Sequence, residues 1–492
     1  MAEQRQCDNF IGGVFVAPAG GEYMDVTSPA DGSVCAKVAV SGTADVDAAV
    51  TAAKKALPQW KGLTIKSRAA CMFKLHHLVQ EHALELATLC TLENGKTIAE
   101  SLAEVAKGNE TIEWACSLPQ LAQGNILQVS RGVMCHDENE PLGVVGCIVP
   151  FNFPFMVPCW TTPIALTMGN AVVLKTSEKA PMAMTRFAEL VKEAGVPDGV
   201  FSIVHGTVDA VNAVCDHEDI CAVSFVGSSR VARIVHQRCS ALGKRVLALG
   251  GAKNHLVALP DCDVAMTAAD IVSSFCGCAG QRCMAASVLL TVTAQPGLLD
   301  EVVAKASELT AGQGAGNLGP VIDEASQKRI LSYIEEAEAG GAKILLDGRS
   351  WQSAQPKGTW LGPTVILHTK KTDRALQDEI FGPVLSVLEV PDRETAIAIE
   401  NAHPAGNAAS VYTNSGAAAD WFSHHFRASQ IGVNVGVAVP REPFSFGGMY
   451  GTISKFGEHD ITGTGAMNFF SQKRKITTKW SKFDMGDAAQ FK

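Results

Sequence analysis

Short apolar runs alternate with helical patterns through the middle of the chain. The runs are residues 147–149, 171–174, 200–204, 222–226 and 246–249. Between the second run and the third, Phe187, Leu190 and Val191 recur at the spacing of one helical face. Because strand, helix and strand in repetition are typical of a parallel doubly wound sheet, the pattern predicts an α/β domain.

A second block with the same alternation extends from Leu256 to about Val390. Its apolar runs are residues 288–290, 344–346 and 384–388, and they predict another α/β domain. The stretch from Asp45 to Gln123 is rich in Ala and Leu. We expect helices there that pack on the first domain.

Residues 142–174 contain no charged side chain, which on hydropathy alone is typical of a membrane span. Prolines at positions 150, 154, 158 and 163 interrupt the stretch. Because proline breaks helices, we expect buried strands joined by a structured loop and no membrane span.

Two segments differ from the rest of the chain. Arg131 to Glu140 is short, polar and bounded by helix- and strand-breaking residues, and Phe469 to Trp480 alternates apolar and basic residues. They predict strands that project from the body of the chain. Since exposed strand edges usually pair with another chain, we expect contacts of a homo-oligomer there, either a dimer or a tetramer.

Composition narrows the partners and the compartment. The 492 residues predict two or three domains, and the net charge of -9 argues against nucleic acid and anionic membranes as partners. Fifteen cysteines without paired spacing indicate reduced thiols. The first ten residues lack the apolar core of a secretory signal. We therefore expect a cytoplasmic location, with the mitochondrial matrix as the alternative.

The chain contains one literal G-x-G-x-x-G pattern, at residues 314–319, but its context argues against dinucleotide binding. A dinucleotide fingerprint follows a strand and opens a helix. This segment instead follows a helical pattern that ends near Leu309, and it leads into Pro320.

Residues 224–230 are the better candidate for phosphate binding. An apolar strand ends at Gly227 and a helix begins near Ser228, with Val231, Ile234 and Val235 expected on its inner face. A helix N-terminus offers unpaired N–H groups to a pyrophosphate, although an ordinary serine cap would have the same sequence.

Glu178, just past the strand that ends at Lys175, is placed to accept hydrogen bonds from an adenosine ribose. A carboxylate there favours NAD over NADP because it would repel a 2′-phosphate. The neighbouring Lys179 weakens that inference.

Cys283 stands apart from the other cysteines because it follows Gly280, Gln281 and Arg282. A neighbouring cation lowers the pKa of a thiol, so this setting favours a thiolate nucleophile, although a small buried core residue is the simpler interpretation of the tetrapeptide alone. Cys276 and Cys278 lie close by, but no fourth ligand with finger-like spacing follows, and we expect no metal site.

Five motifs in order make the chain resemble the aldehyde dehydrogenase superfamily along nearly its whole length. They are residues 150–154, 175–178, 225–228, 280–283 and 379–383. Within it, the chain most resembles the CoA-acylating methylmalonate-semialdehyde dehydrogenases. The narrower resemblance is carried by residues 150–154, 251–255, 283–285, 431–435 and 443–446.

The resemblance implies an α/β fold with a Rossmann-type cofactor domain, a second α/β catalytic domain and a small β oligomerisation element. The implied NAD-binding domain is residues 1–125 and 145–250, and the implied catalytic domain is residues 251–440. The implied oligomerisation strands are residues 126–144 and 465–492, in a homo-oligomer that is a tetramer in much of the family.

The resemblance also implies roles for individual side chains. Cys283 would attack the aldehyde carbon to form a thiohemiacetal, and loss of a hydride to NAD would leave a thioacyl enzyme. Asn152 would donate to the developing oxyanion, unless it only caps a loop. The implied cofactor-binding residues are Val149, Phe151, Lys175, Glu178, Lys179, Ser228, Gly250, Glu379 and Phe381.

For the substrate, the resemblance implies a carboxylate held by two arginines, with Phe446 beside it. Arg282 supplies the first, but Lys107 stands at the second position, and a lysine lacks the bidentate fork of a guanidinium. Malonate semialdehyde, or another short aldehyde, is therefore an alternative to the methyl-substituted substrate.

Ala248 stands where acid-releasing relatives carry a glutamate that activates water. Since alanine cannot take a proton, we expect slow hydrolysis and transfer of the acyl group to coenzyme A as co-substrate. The implied reaction is oxidation of malonate or methylmalonate semialdehyde to acetyl-CoA or propionyl-CoA with loss of CO2. The alternatives are a hydrolytic aldehyde dehydrogenase and a catalytically silent dinucleotide-binding oligomer.

Overall fold

The structure is a computed structural model that describes residues 5–480. The first strands are β1 (Arg5–Cys7), β2 (Asn9–Ile11), β3 (Val14–Val16), β4 (Tyr23–Thr27) and β5 (Val34–Ala39). The helices that follow are α1 (Thr43–Gly62), α2 (Ile65–Glu81), α3 (Ala83–Asn94), α4 (Ile98–Cys116) and α5 (Leu118–Leu121). Residues 1–4 and 481–492 of the predicted domains lie outside the described residues.

The next region alternates strands and helices. Its elements are β6 (Ile126–Ser130), β7 (Val133–Pro141), β8 (Val144–Ile148), α6 (Met156–Thr167), β9 (Ala171–Lys175), α7 (Met182–Glu193), β10 (Phe201–Val204), α8 (Val208–Asp216), β11 (Ile220–Val226), α9 (Ser229–Ala241) and β12 (Arg245–Leu249).

The remaining elements continue the alternation. They are β13 (Asn254–Ala258), α10 (Val264–Cys276), a 3₁₀ helix (Gly277–Gly280), β14 (Ala286–Val292), α11 (Pro296–Ser307), β15 (Thr310–Ala311), β16 (Asn317–Leu318), α12 (Glu324–Ala339), β17 (Lys343–Leu346), α13 (Ser350–Ala354), β18 (Thr364–His368), α14 (Arg374–Gln377), β19 (Val384–Val390), α15 (Arg393–Ala402), β20 (Ala408–Tyr412), α16 (Gly416–His425), β21 (Gln430–Val433), β22 (Lys455–Phe456), α17 (Gly463–Phe469) and β23 (Ser471–Lys479).

An eight-stranded sheet holds the first block, in the order β22-β12-β11-β8-β9-β10-β2-β3. Its five central strands, β12 to β10, are parallel, and the strands at both edges are antiparallel. Apolar clusters cover both faces. Because such strands are buried on both sides, they read as unbroken apolar runs, which is why the sequence pattern identified them.

A seven-stranded sheet holds the second block, in the order β17-β18-β19-β14-β13-β20-β21. Only β17 runs antiparallel to its neighbour, and apolar clusters again cover both faces. The block extends to β21, beyond the predicted end near Val390. The two sheets confirm the predicted α/β fold class.

A three-stranded antiparallel sheet, in the order β23-β7-β6, contains both segments that were predicted as projecting strands. β7 and β23 pair over nine residues, from Val133 with Lys479 to Pro141 with Ser471. The sequence pattern did not single out β6, the outer strand beside β7.

Two local predictions were wrong. Residues 156–167 form helix α6 and are not part of a loop. Pro158 lies in the first turn, where a backbone N–H has no partner within the helix, so proline costs no hydrogen bond there. The helix is also buried on all sides. On α9, Val231 and Ile234 are exposed, and the inward face instead carries Ala232, Val235 and Cys239. Among residues 5–480, no helix is both long and apolar enough to cross a membrane.

Candidate active site

Cys283 lies where two cavities meet. The large cavity, of about 570 Å³, is lined in part by Glu100, Lys107, Trp160, Arg282, Arg441 and Phe446. The small cavity, of about 360 Å³, is lined in part by Phe151, Asn152, Ser228, Gly250, Glu379 and Phe381. Since Cys283 lines both cavities, one ligand can approach it from each.

The turn before Cys283 is held in an uncommon backbone conformation. Cys278, Ala279 and Gly280 have φ angles of 51°, 53° and 68°, in the left-handed region. A side chain at Gly280 would bring its Cβ within 2.0 Å of the Gly382 carbonyl oxygen, so only glycine fits there. The turn therefore presses against the segment that carries Glu379 and Phe381.

Two asparagine side chains hold the backbone of Cys283. The Cys283 carbonyl accepts hydrogen bonds from Nδ2 of Asn254 at 2.9 Å and from Nδ2 of Asn407 at 2.8 Å. Asn254 belongs to the motif at residues 251–255, for which no role was predicted, and Asn407 was not predicted from the sequence. No sequence spacing links Asn407 to Cys283, because strand pairing in the second sheet alone brings them together.

The prediction that the surroundings of Cys283 favour a thiolate was wrong. Burial, and next the carboxylate of Glu379, raise the pKa of the Cys283 thiol to about 12. Arg282 has only a smaller opposing effect because its guanidinium turns away: Nε donates to the Cys278 sulfur at 3.4 Å, and Nη2 lies 3.7 Å from Glu100. The resting thiol therefore keeps its proton.

Asn152 lies on the loop between β8 and α6, and both ends of the residue are bonded. Its side-chain amide donates to the Gln281 carbonyl at 2.9 Å, next to Cys283. Its own carbonyl accepts from the buried ammonium of Lys96 at 2.6 Å. The amide is thereby fixed at the wall of the small cavity.

Lys96 is buried together with Glu104, and neither residue was predicted from the sequence. The ammonium and carboxylate lie 2.5 Å apart, and the other carboxylate oxygen accepts the N–H groups of Phe155 and Met156 at the start of α6. A buried ion pair cannot be recognised from sequence, because lysine and glutamate are ordinarily surface residues.

The small cavity lies at the start of helix α9, a position that suits the pyrophosphate of a dinucleotide. Ser228 precedes the first turn of α9 and its hydroxyl makes no capping hydrogen bond, which leaves the helix N-terminus facing the cavity. At Gly251 an added Cβ would lie 2.1 Å from a carboxylate oxygen of Glu379. Glu379 accepts the Ala252 N–H at 3.1 Å, and burial raises its pKa.

The structure does not bring every predicted cofactor residue to this cavity. Phe151, Ser228, Gly250, Glu379 and Phe381 line it, and the rings of Phe151 and Phe381 pack edge to face at 6.1 Å. The predicted residues outside its lining are Val149, Lys175, Glu178 and Lys179.

These four residues have other surroundings. Val149 is buried, and Lys175 pairs with Glu178 at 3.2 Å. Lys179 pairs with Asp323 at 2.5 Å and lies 5.4 Å from the ring of Phe151. Lys179 is therefore near the cavity's edge. Arg329, which lines the cavity and donates to the Ile380 carbonyl at 2.6 Å, was missed.

The large cavity has an apolar wall and a basic side. Phe446 packs on Trp160 with ring centroids 4.7 Å apart. Arg282 and Lys107, which the resemblance implied, and Arg441, which was missed, also line this cavity and form its basic side, beside the carboxylates of Glu100 and Glu104. Lys107 comes from α4 and Arg441 from the segment after β21. A single sequence gives no indication that they meet.

Ala248 is fully buried in β12, opposite Phe456 of β22. Neither of the two cavities has it among its lining residues. Within residues 5–480 there is also no group of three His, Cys, Asp or Glu side chains arranged to hold a metal ion.

Two largely parallel sheets, with a cysteine at the junction of two cavities, define an α/β protein with a candidate active site. The chain belongs to the aldehyde dehydrogenase family, whose family model matches residues 15–476. This confirms the family that the motifs predicted.

Similar proteins cover almost the whole chain. Malonate-semialdehyde dehydrogenase 2 of Geobacillus kaustophilus is 42% identical over 96% of this chain and 98% of its own length. The methylmalonate-semialdehyde dehydrogenase structure from Oceanimonas doudoroffii has a TM-score of 0.95 and 35% identity, and the match covers 98% of this chain and 99% of that one. A Sinorhizobium meliloti structure in complex with NAD has a TM-score of 0.95 and 34% identity, and covers 98% and 100%.

Proposed function

We propose that this enzyme oxidises malonate or methylmalonate semialdehyde with NAD and transfers the acyl group to coenzyme A, releasing acetyl-CoA or propionyl-CoA and CO2. The observation that carries the proposal is the position of Cys283 between a cavity at the N-terminus of α9 and a cavity with a basic side. The names of the similar Geobacillus and Oceanimonas proteins support the same substrate class.

Cys283 is the proposed nucleophile. Its sulfur forms a bond to the aldehyde carbon as the C=O π bond opens, and the thiol proton ends on the former carbonyl oxygen, which gives a thiohemiacetal. Because the pKa of the resting thiol is raised to about 12, loss of the proton has to accompany substrate and cofactor binding. When bound in the small cavity, NAD supplies the acceptor for the hydride, and the enzyme is left as a thioester on Cys283.

Asn152 and the Cys283 N–H are the proposed donors to the oxyanion. The Asn152 amide carries two N–H groups, and the Gln281 carbonyl takes one of them. The second is available to the substrate oxygen. Losing one such donor typically costs about 3 kcal/mol of barrier.

The residues proposed to hold NAD differ in the part of the cofactor that each would contact. Ser228 and Gly250 would contact the pyrophosphate, and Glu379 the nicotinamide ribose with Phe381 beside the ring. Phe151 and Val149 would contribute to the groove near its opening. Lys175, Glu178 and Lys179 would bind the adenosine ribose, beyond the small cavity.

Ala248 supports release to coenzyme A. The thiol of CoA attacks the thioester carbon, a new C–S bond forms, and Cys283 leaves as its thiolate. Water needs more help from a base than a thiol does, and the position that would supply the base carries a methyl group. A carboxylate on the neighbouring carbon of the acyl chain can leave as CO2, and that carbon then takes up a proton in its place.

The experiment that tests the function follows NADH from malonate semialdehyde with and without CoA. We expect a burst of about one equivalent per active site without CoA, and steady turnover only when CoA is added. The Cys283→Ala variant, in which the nucleophile is removed, should give neither phase.

Two outcomes would contradict the proposal. Equal turnover without CoA would identify a hydrolytic aldehyde dehydrogenase with another base. No burst and no fast-reacting cysteine would identify a dinucleotide-binding protein without catalytic activity.

We also propose a homo-oligomer, because within residues 5–480 the outer edges of β6 and β23 have no strand partner. In this proposal residues 126–144 and 465–492 make the subunit contacts, residues 1–125 and 145–250 bind the cofactor, and residues 251–440 carry the nucleophile. Fifteen cysteines without paired spacing, together with bacterial relatives, support a cytoplasmic location.

A further inference from the structure

The basic side of the large cavity carries one arginine that the family resemblance does not account for. We propose that Arg441, acting with Arg282, binds the substrate's carboxylate, and that Lys107 serves mainly to anchor the segment that presents Arg441. The inference rests on the proposed semialdehyde substrate and identifies the residue that selects for it.

Lys107 is already neutralised by protein carboxylates. Its ammonium lies 2.9 Å from Glu110 and 3.3 Å from Glu442, and Lys107 is largely buried. Two carboxylates around one ammonium carry a net negative charge. A third carboxylate, from the substrate, would therefore gain little from Lys107.

Glu442 ties the segment after β21 to helix α4. One of its carboxylate oxygens accepts from Lys107 and the other from the hydroxyl of Thr111 at 3.0 Å. The side chain of Glu442 is only 8% exposed. Because Glu442 is fixed at both oxygens, the backbone of the preceding residue, Arg441, is fixed as well.

The guanidinium of Arg441 is available to a ligand. It lines the large cavity, its side chain is 77% exposed, and its ion pair with Glu110 is 3.7 Å long. That distance is longer than a hydrogen bond, so the pair is weak and readily exchanged. A guanidinium also offers the planar fork that matches a carboxylate and that a lysine lacks.

Arg441 shares the large cavity with apolar side chains suited to a short chain. Val437, Val439 and Phe446 line this cavity, and so does Cys283. A substrate with an aldehyde at one end and a carboxylate at the other can place its aldehyde at the thiol and its carboxylate on the basic side.

The test compares malonate semialdehyde with propanal, which has the same number of carbons and no carboxylate. In Arg441→Gln we expect KM for the semialdehyde to rise about tenfold, with kcat nearly unchanged. KM for propanal should stay within about twofold of the wild-type value. Arg441→Lys, which keeps the charge and loses the fork, should fall between the two.

The matched control is Arg393→Gln, because Arg393 is another partly exposed arginine, stacked on Trp421 and absent from the lining of the large cavity. It should leave both KM values unchanged. A selective rise in Lys107→Gln with none in Arg441→Gln would overturn the inference, as would equal changes for both aldehydes in Arg441→Gln. Failure of the wild-type enzyme to oxidise malonate semialdehyde would instead overturn the proposed function, and the inference with it.

Discussion

At the residue scale, the pKa of the Cys283 thiol depends more on burial than on the residues beside it in the sequence. The pKa of Cys283 is raised by burial and by Glu379, and Arg282 faces away from it. A raised pKa means that the thiol form persists to higher pH, so the thiolate fraction of the free enzyme is small near neutrality. The reactivity of the thiol should therefore depend strongly on pH.

We predict that the alkylation of Cys283 by iodoacetamide in the cofactor-free enzyme accelerates about tenfold per pH unit between about pH 6 and about pH 9, without a plateau. The reason is that both pH values lie below the raised pKa of the thiol. The rate is measured by mass spectrometry of the peptide that contains Cys283.

Other thiols provide the comparison within the same digest. Cys221 is exposed and serves as an internal reference, although burial raises its pKa too. The Cys283→Ala variant gives the background. A plateau below about pH 8 would mean that a nearby positive charge stabilises the thiolate, contrary to this geometry.

Single residues were predictable from sequence where a motif fixed them and not where a distant partner did. Cys283, Asn152 and Glu379 all face the small cavity, as expected from ordered motifs. The pairing of Lys107 with Glu442 joins positions 335 residues apart. No local pattern records such a contact, and the substitution at position 107 could not be interpreted without it.

At the element scale, one buried ion pair connects the loop that carries Asn152 with helices α4 and α6. Lys96, between α3 and α4, holds the Asn152 carbonyl, while Glu104 of α4 caps the start of α6. Removing the cation alone leaves a buried carboxylate without its partner. Such a loss typically costs about 3 to 5 kcal/mol.

We predict that Lys96→Met lowers the free energy of unfolding by about 3 kcal/mol and also lowers kcat, because Asn152 loses its backbone contact. The double variant Lys96→Met with Glu104→Gln should recover a large part of the stability but not kcat. Unfolding in urea and burst kinetics measure the two quantities separately.

Lys328→Met is the matched control, since Lys328 and Glu324 form an exposed pair on α12 at 3.4 Å. It should change the free energy of unfolding by less than about 1 kcal/mol and leave kcat unchanged. Full recovery of kcat in the Lys96 and Glu104 double variant would show that Lys96 does not position Asn152.

Elements were predictable where apolar periodicity was simple. The strands buried on both faces matched their apolar runs, whereas α6 was missed because its prolines were given their usual meaning as helix breakers. Packing on all sides of α6 outweighs the hydrogen bond lost at Pro163. The inward face of α9 was misassigned because its exposed face also carries apolar side chains.

At the scale of the whole molecule, helices cover the two large sheets. The three-stranded sheet lacks comparable cover within residues 5–480. Ile126 and Leu127 of β6 are 70% and 65% exposed. Neighbouring residues of a strand point to opposite faces, so both faces of β6 are open in the single chain. Among the residues that the structure describes, β6 also pairs with β7 alone, and its other edge has no partner there.

An open edge with apolar side chains on both faces is the kind of surface that another subunit covers. We predict that the double variant Ile126→Lys with Leu127→Lys converts the wild-type oligomer into a smaller species, because two charges would have to be buried in the subunit contact. Light scattering coupled to size exclusion measures the mass. Val208→Lys is the control, since Val208 is 64% exposed at the start of α8, outside this sheet. A variant with the wild-type mass, or a monomeric wild type, would mean that β6 makes no subunit contact.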